Sequence, residues 1–576
     1  MSVLAQVDLH RAFPRKFVPR EADAGDWAQI EPVFSELLRR APSSPEELEK
    51  WLADYCELVG AVDEEETRRY ISMTLQTDDP AREAAYQQFV ENINPKIKPL
   101  VQAWEKAYLQ NRARKLLPRD RYAVLDRIID NNVALFREEN VPLETEEALL
   151  KKDYQKLAGA MTVIVNGTEQ TLQQAARYLE EPDRGLRQQV WEQIAKRRLL
   201  DKQKLEELYD RLVALRTRIA ANAGFSNYRD YIFRRYQRFD YTPEDCFRFH
   251  DGVERAVLPL AAKILKERQR LLRVDTLRPW DLEVDPLHRP PLRPFSTTGE
   301  LVKGTREIFT RVDPAFGEQF QFIADHQLLD IESRKGKAPG GYQSMLSECR
   351  VPFIFTNAVG RDVDVRTLLH EGGHAFHTFA ARNDPVIYYR YTTAEFREVA
   401  SMSMEMFALP HLAVFYKDPK EYRRACRSRL ENLALMLPVI AMGDAFQHWV
   451  YTRPAHTSAE RAQAWKEIQT RFTVITDWTG HEEQRAYAWH RILHFFEVPF
   501  YSIEYALAEI GALQVWTHSR SNYHDAVERY WSALSLGGSR PLPQLFEAAG
   551  AHFRFDYEVL KPLMDALGEE IDSIGS

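Results

Sequence analysis

Cysteine is scarce in this 576-residue chain. Only Cys56, Cys246, Cys349 and Cys426 occur, scattered and without a CxxC pair. That pattern suggests neither a disulfide framework nor a thiolate zinc site. Basic charge is not in surplus: 77 Lys and Arg face 85 Asp and Glu, a formal net charge of -8. The strongly basic footprint of a nucleic-acid-binding protein is therefore missing. Long apolar runs are missing too. Met1 to Arg20 mixes charges among its apolar residues, unlike a signal peptide. The longest run, Leu433 to Gly443, is too short to cross a bilayer and contains Pro438. No internal repeat or low-complexity tail is visible. These absences read together as a soluble, cytoplasmic protein with no nucleic-acid or membrane partner.

What is present is a foldable balance of 44% hydrophobic and 28% charged residues, over a length that allows several subdomains. Helical signals dominate. Ser44-Pro45-Glu46-Glu47 offers an N-cap, a proline for the first helical position and a capping-box glutamate. Leu48, Trp51, Leu52, Tyr55 and Val59 then recur at helical spacing. Asp79-Pro80 starts a second helix that reaches Asn94-Pro95. Further amphipathic stretches cover Leu143 to Leu157, Thr171 to Arg198 and Lys202 to Ala221. Strand signals are few. Met161 to Val165 is β-prone and meets the turn dipeptide Asn166-Gly167. Val351 to Thr356 reads as a strand, and Pro352 within it predicts an edge position. Pro279 to Pro294, with five prolines, reads as an extended connector. Arg334 to Gly341, basic and rich in Gly and Pro, reads as a mobile loop able to close over a ligand.

Histidine points to the C-terminal half: twelve of sixteen lie between His370 and His552. Among them, His370-Glu371-Gly372-Gly373-His374 is an HExxH sequence. On a helix, residues i and i+4 place two imidazoles on one face, where they can share a zinc ion. Glu371 lies beside them, placed to take a proton from water activated there. Gly372 and Gly373 each cost a helix roughly 1 kcal/mol relative to Ala. Two such residues imply close packing or substrate approach.

A catalytic zinc site needs a third protein ligand. His377 shares the face but lies about 10 Å from His370 along the axis at a rise of ~1.5 Å per residue, too far for one ion. It is read as substrate-facing or as support for the ligands. The following segment, Thr392 to Glu405, carries Glu395, Glu398 and Glu405 on one stripe among apolar neighbours. Charges in such surroundings need partners, which a zinc ion or its histidines would supply. Spacing alone does not choose between Glu395 and Glu398.

These motifs resemble the thimet oligopeptidase/oligoendopeptidase F group of zinc peptidases. His370 to His377 matches that group's HExGHxxH pattern, and Glu398-Val399-Ala400-Ser401 matches its Glu-x-x-Ser context. The resemblance implies that Glu398 completes the ligand set with His370 and His374, with one zinc ion per chain. It extends to Gly340-Gly341-Tyr342 and Val351 to Asn357, which look like the group's cleft-edge strand region. It also takes in Asp362 to Val365, Asn166-Gly167 through Arg187, and Gly537-Gly538-Ser539 with Pro541. His494 to Tyr505 resembles a C-terminal segment that faces the zinc, with His494, Tyr501 and Tyr505 as the matching residues. Ile503 stands where that group often carries a further tyrosine.

The resemblance implies a mainly α, two-lobed metallopeptidase fold around a deep channel, with a small β-sheet beside the zinc helix. A helical lobe over residues 1–190 and a catalytic region over 191–576 are expected. Expected substrate contacts are Gly341, Tyr342, Phe353, Phe355 and His377, with an extended peptide pairing near Phe353 to Thr356. Glu405 is expected to support the ligands. The implied activity is endopeptidase cleavage of short peptides, with Glu371 as general base and His494, Tyr501 and Tyr505 around the oxyanion. The alternatives are an HExxH exopeptidase or a non-catalytic helical binding protein.

Overall fold

The computed structural model describes Leu4 and residues 7–575. Its first helices follow their local signals. Ser44 accepts from the Glu47 amide and starts a helix over Pro45–Leu75. Asp79 caps Pro80–Asn92, and the chain breaks at Ile93 before Asn94–Gln110. The stretch around Leu143 becomes Asn140–Gly159. Strand β1 (Thr162–Val165) turns at Asn166 and Gly167, both at positive φ, into an antiparallel β2 (Thr168–Thr171). The single amphipathic stretch expected over Thr171 to Arg198 is instead broken. A capping box at Thr171 and Gln174 starts a short helix, Leu172–Ala176. Pro182-Asp183 then ends one segment and caps the next, Arg184–Leu200.

Two large hydrophobic cores result, beside three smaller clusters. One joins N-terminal helical residues between Val18 and Ile129 to Val386, Ile387 and Tyr389. The other is much larger and joins Leu4 to residues from Leu135 to Ile571. Its spine is the long helix Pro419–Thr452, which holds the apolar run around Leu433. Leu433, Ala434, Leu437 and Ala441 are fully buried there, so the run is core.

The three-stranded sheet has order β3-β5-β4, from β3 (Leu329–Glu332), β4 (Tyr342–Leu346) and β5 (Val351–Ala358). β5 is therefore central, contrary to the edge position that Pro352 predicts. The register explains how proline is tolerated. The Ile354 amide donates to Leu328 O on the β3 side, and β3 begins opposite Ile354. Pro352, two residues earlier, faces that same side before β3 has started, so its missing N–H leaves no acceptor unpaired. β3 and β4 are the two edge strands.

The Arg334 to Gly341 loop is fastened, not mobile as its composition suggests. Gly336 O accepts from the Thr77 amide at 2.6 Å, and the Ala338 amide donates to Thr74 O at 2.8 Å. Lys337 is buried, with its Nζ on Asp330 Oδ1 at 2.7 Å and Glu332 O at 2.9 Å. The loop is thus tied to the end of the Pro45–Leu75 helix and to the sheet.

Candidate active site

The HExxH sequence lies within the helix Asp362–Ala381. Its two glycines serve packing. A Cβ on Gly372 would meet Phe309 Cζ at 2.3 Å. A Cβ on Gly373 would meet Ala400 O and Ser401 Cα at 2.6 Å. The second contact is with the backbone of the crossing helix Ala394–Ala408. Only glycine at 373 lets the two helices approach this closely, and that approach brings Glu398 to the histidines.

His370 Nε2 lies 3.2 Å and His374 Nε2 3.5 Å from Glu398 Oε2. Ligand atoms of the three residues all fall within 4.8 Å of one another. Two of the three, His370 and Glu398, are held from behind. His370 Nδ1 lies 2.8 Å from Glu405 Oε1, which fixes the tautomer that leaves Nε2 as the free ligand atom. Glu405 in turn meets Arg429 Nε at 3.0 Å. Glu398 accepts from Tyr501 OH at 2.6 Å and from Ser401 Oγ at 3.0 Å. Glu395, on the same helix, faces elsewhere: it accepts from Tyr241 OH at 2.7 Å beside Arg238.

Electrostatics favour a cation at this point. Burial opposes charge on His370, yet Glu398 and Glu405 on its two nitrogens outweigh that and hold its pKa well above the ordinary value. Burial likewise opposes charge on Glu398, but His374 and His370 hold it below the usual carboxylate range. Burial pushes Glu371 up to about 8, and its Oε2 is buried without a hydrogen-bond partner. Burial takes His374 down to about 4, keeping it a neutral donor. Two imidazole nitrogens and a carboxylate oxygen, with two more glutamates beside them, suit a divalent ion of the zinc type.

The tyrosine segment closes the site. His494 sits on a short helix, Leu493–Glu497, and Tyr505 on the helix Ser502–Ser521. Tyr505 OH and His494 Nε2 are 3.1 Å apart, and the His494 ring stacks on Tyr501. Burial lowers His494 to about 4, so its ring is neutral.

A cleft of about 400 Å³ opens over these groups. Gly341, Tyr342, His377, His494, Tyr501 and Tyr505 all line it. A Cβ on Gly341 would lie 3.3 Å from Glu371 Oε1, so the loop end covers the glutamate directly. His377 is nearly buried, edge-on to Phe396, and its Nε2 has no partner. Phe353 and Phe355 do not line the cleft, contrary to the expected substrate contacts. They are buried beneath the sheet with Ile71 and Leu346, and Phe355 stacks under Tyr342. The central position of β5 puts them there. Their place in the cleft is taken by Gln343, Ser344 and Met345 of β4.

Sequence reasoning also missed a wall. Thr67, Tyr70 and Thr74 of the N-terminal helix Pro45–Leu75 line the cleft opposite the motif helix, joined by Gln155 and Glu497. No local motif marks them. Arg397, between the two glutamates first in contention, also lines it. Tyr391, Thr392, Arg397, Val498 and Tyr501 also line an adjoining cavity of about 520 Å³.

A mainly helical body with a His-His-Glu cluster on crossed helices, at the floor of a cleft walled by both cores, defines a helical metallopeptidase fold. The model of Peptidase family M3 matches residues 177–564, and that of the Peptidase M3 N-terminal domain matches residues 17–136. The chain belongs to peptidase family M3. The solved structure of PZ peptidase A with inhibitor 2 superposes with a TM-score of 0.93 at 28% identity, covering 97% of this chain and 100% of that one. Group B oligopeptidase PepB of Streptococcus agalactiae is 24% identical over 305 residues, 52% of this chain and 49% of that protein. An oligoendopeptidase F homolog of Borreliella burgdorferi is 28% identical over 225 residues, 38% of this chain and 37% of that protein. The matches thus span about half the length of these curated relatives, or less.

Proposed function

We propose that this protein cleaves internal bonds of short oligopeptides with one zinc ion held by His370, His374 and Glu398. The observation that carries the reading is the meeting of these three ligand atoms within 4.8 Å on the cleft floor. A zinc ion there supplies Lewis-acid activation of water and of the scissile carbonyl. Glu371 accepts the proton from water and passes it to the leaving amine. Its pKa of about 8 is set by burial, and a divalent cation alongside draws it toward neutrality, where a general base works best.

The remaining polar groups divide the work. Tyr501 holds Glu398 in its ligand position. With His494 Nε2–H donating to the Tyr505 oxygen, the Tyr505 hydroxyl proton is free to stabilise the developing oxyanion, and His494 positions it. One such donor is worth about 3 kcal/mol. The open edge of β4 receives the substrate backbone. Ile354 faces β3, so its antiparallel partner Gln343 turns its own N–H and C=O away from β5, toward the open edge, as does Met345 opposite Pro352. Main-chain pairing of this kind gives affinity with little demand on side-chain identity. The covered cleft and the adjoining cavity favour a flexible peptide over a folded protein.

The test is an internally quenched peptide, blocked at both ends, with products identified by mass spectrometry. Wild type is compared with Glu371→Gln and with chelated and zinc-restored samples. Internal cleavage that needs both Glu371 and metal is the expected result. Cleavage only of peptides with a free terminus would replace this reading with an exopeptidase.

A further inference from the structure

A second group of metal-ligating side chains lies outside the cleft. Cys246 and His250 are four residues apart on the helix Pro243–Gly252. Asp444 and His448 are four apart on the long helix Pro419–Thr452. Spacing of four puts each pair one turn apart on one face. The two helices pack against each other, which brings the two pairs together. Ligand atoms of Cys246, Asp444 and His448 all lie within 4.8 Å of one another. His250 Nε2 is 2.9 Å and His448 Nε2 3.3 Å from Asp444 Oδ2. Ligands bonded at ~2.0–2.3 Å to one zinc ion are roughly 3.3–3.8 Å apart, so Cys246, Asp444 and His448 need only small shifts, while His250, bonded to Asp444 and outside that group of three, needs a larger one.

Hydrogen bonding leaves this cluster unsatisfied. None of the four residues is more than 4% exposed. Asp444 Oδ1 and both ring nitrogens of His448 are buried without a hydrogen-bond partner. His448 Nε2 is near Asp444 but not aligned to bond with it. Cys246 Sγ reaches only Thr242 O of its own helix, at 3.5 Å. Water has little room to help, because Phe233, Phe247 and Phe500 crowd His448 and Phe472 packs on His250. Buried polar atoms of this kind need a partner. Arg238 makes no hydrogen bond to any of the four; its Nη2 donates to Glu504 at 2.7 Å and to Phe500 O at 2.7 Å.

We propose that Cys246, His250, Asp444 and His448 form a second, structural zinc site, distinct from the His370-His374-Glu398 cluster. Binding releases the Cys246 thiol proton to solvent, and the thiolate sulfur bonds the ion. Zn²⁺ with one thiolate, one carboxylate and two neutral imidazoles sums to zero charge, which suits a dry interior. Four protein ligands leave no open position, so the site holds structure and performs no chemistry. What it holds is the floor beneath the tyrosine segment. Gln447, beside His448, accepts from the Phe500 amide at 2.8 Å, and Phe500 stands at positive φ directly before Tyr501.

The two sites differ in one readable respect: only the second contains sulfur. Metal content is measured on the full-length protein after zinc loading and gel filtration, then after exchange to cobalt(II). Wild type is expected to hold two metals per chain, with a near-ultraviolet sulfur-to-cobalt charge-transfer band. The double variant His370→Ala/His374→Ala is expected to keep one metal and the full band. Cys246→Ser is expected to lose the band. One metal and no band in wild type would overturn the proposal, even if every variant failed to fold. So would a band that survives in Cys246→Ser, or a folded double variant that holds no metal. None of these outcomes bears on peptide cleavage, so the two readings fail separately.

Discussion

Tyr501 donates its hydroxyl to Glu398 at 2.6 Å, while Tyr505, one helical turn on, meets His494 at 3.1 Å. Two tyrosines of one segment thus serve two different partners. Removing each hydroxyl should separate their roles. Tyr501→Phe takes a hydrogen bond from Glu398, the carboxylate proposed as a metal ligand, and such losses weaken metal affinity about 10–100-fold. Tyr505→Phe leaves the ligand set intact and is expected to lower kcat about 100-fold or more with zinc affinity unchanged. Chelator competition and steady-state kinetics on both variants check this. Equal loss of zinc in the two would refute the division.

Gly373→Ala tests the helix crossing. Its Cβ would press at 2.6 Å on backbone atoms of Ala400 and Ser401, which cannot swing aside as a side chain can. The helices must part, at a cost of about 1–3 kcal/mol. The expected result is a lower Tm together with weaker zinc binding, because the same displacement moves Glu398. Thermal unfolding with and without zinc checks it. A variant with wild-type Tm and zinc affinity would show that the approach is not required.

Glu497 gives a pH signature. Burial raises its pKa to about 8, with only Gln155 at 3.2 Å on one oxygen. A carboxyl raised in the folded state binds a proton that the unfolded chain has released. Its contribution to stability is therefore full below the ordinary carboxylate pKa and is lost as pH rises through about 8. Glu497→Gln keeps the shape without the titration. Its stability relative to wild type should rise between pH 5 and pH 9, by at most about 5 kcal/mol. Denaturant unfolding at the two pH values reads the difference; a constant difference would argue against a protonated Glu497.

Much of this architecture was legible because its signals are local. Ser44, Asp79 and the Asn166-Gly167 turn each act within a few residues, and each stands where its local chemistry puts it. The histidines and Glu398 were legible through spacing and resemblance. What escaped depends on partners distant in the chain. Pro352 reads as an edge marker, yet the strand is central because β3 begins just beyond it. Phe353 and Phe355 could not be sided without that sheet order. The Gly- and Pro-rich loop looked mobile because Gly336 and Ala338 are fastened to Thr77 and Thr74, which are remote in sequence. Cys246 looked solitary because its fellow ligands, Asp444 and His448, arrive from a helix some two hundred residues later.

The edge of β4 carries the last prediction. Gln343 and Met345 present main-chain groups to the cleft at alternate positions, so only alternate substrate amides should pair. Peptides N-methylated at single positions keep their side chains and lose one donor. Methylation on the paired register is expected to raise KM about tenfold, the effect of roughly one lost hydrogen bond, and methylation one residue away to have little effect. An alternating pattern of KM along the peptide is the signature of strand addition. A flat pattern would mean that side-chain pockets hold the substrate, and the exposed strand edge would then have no part in binding.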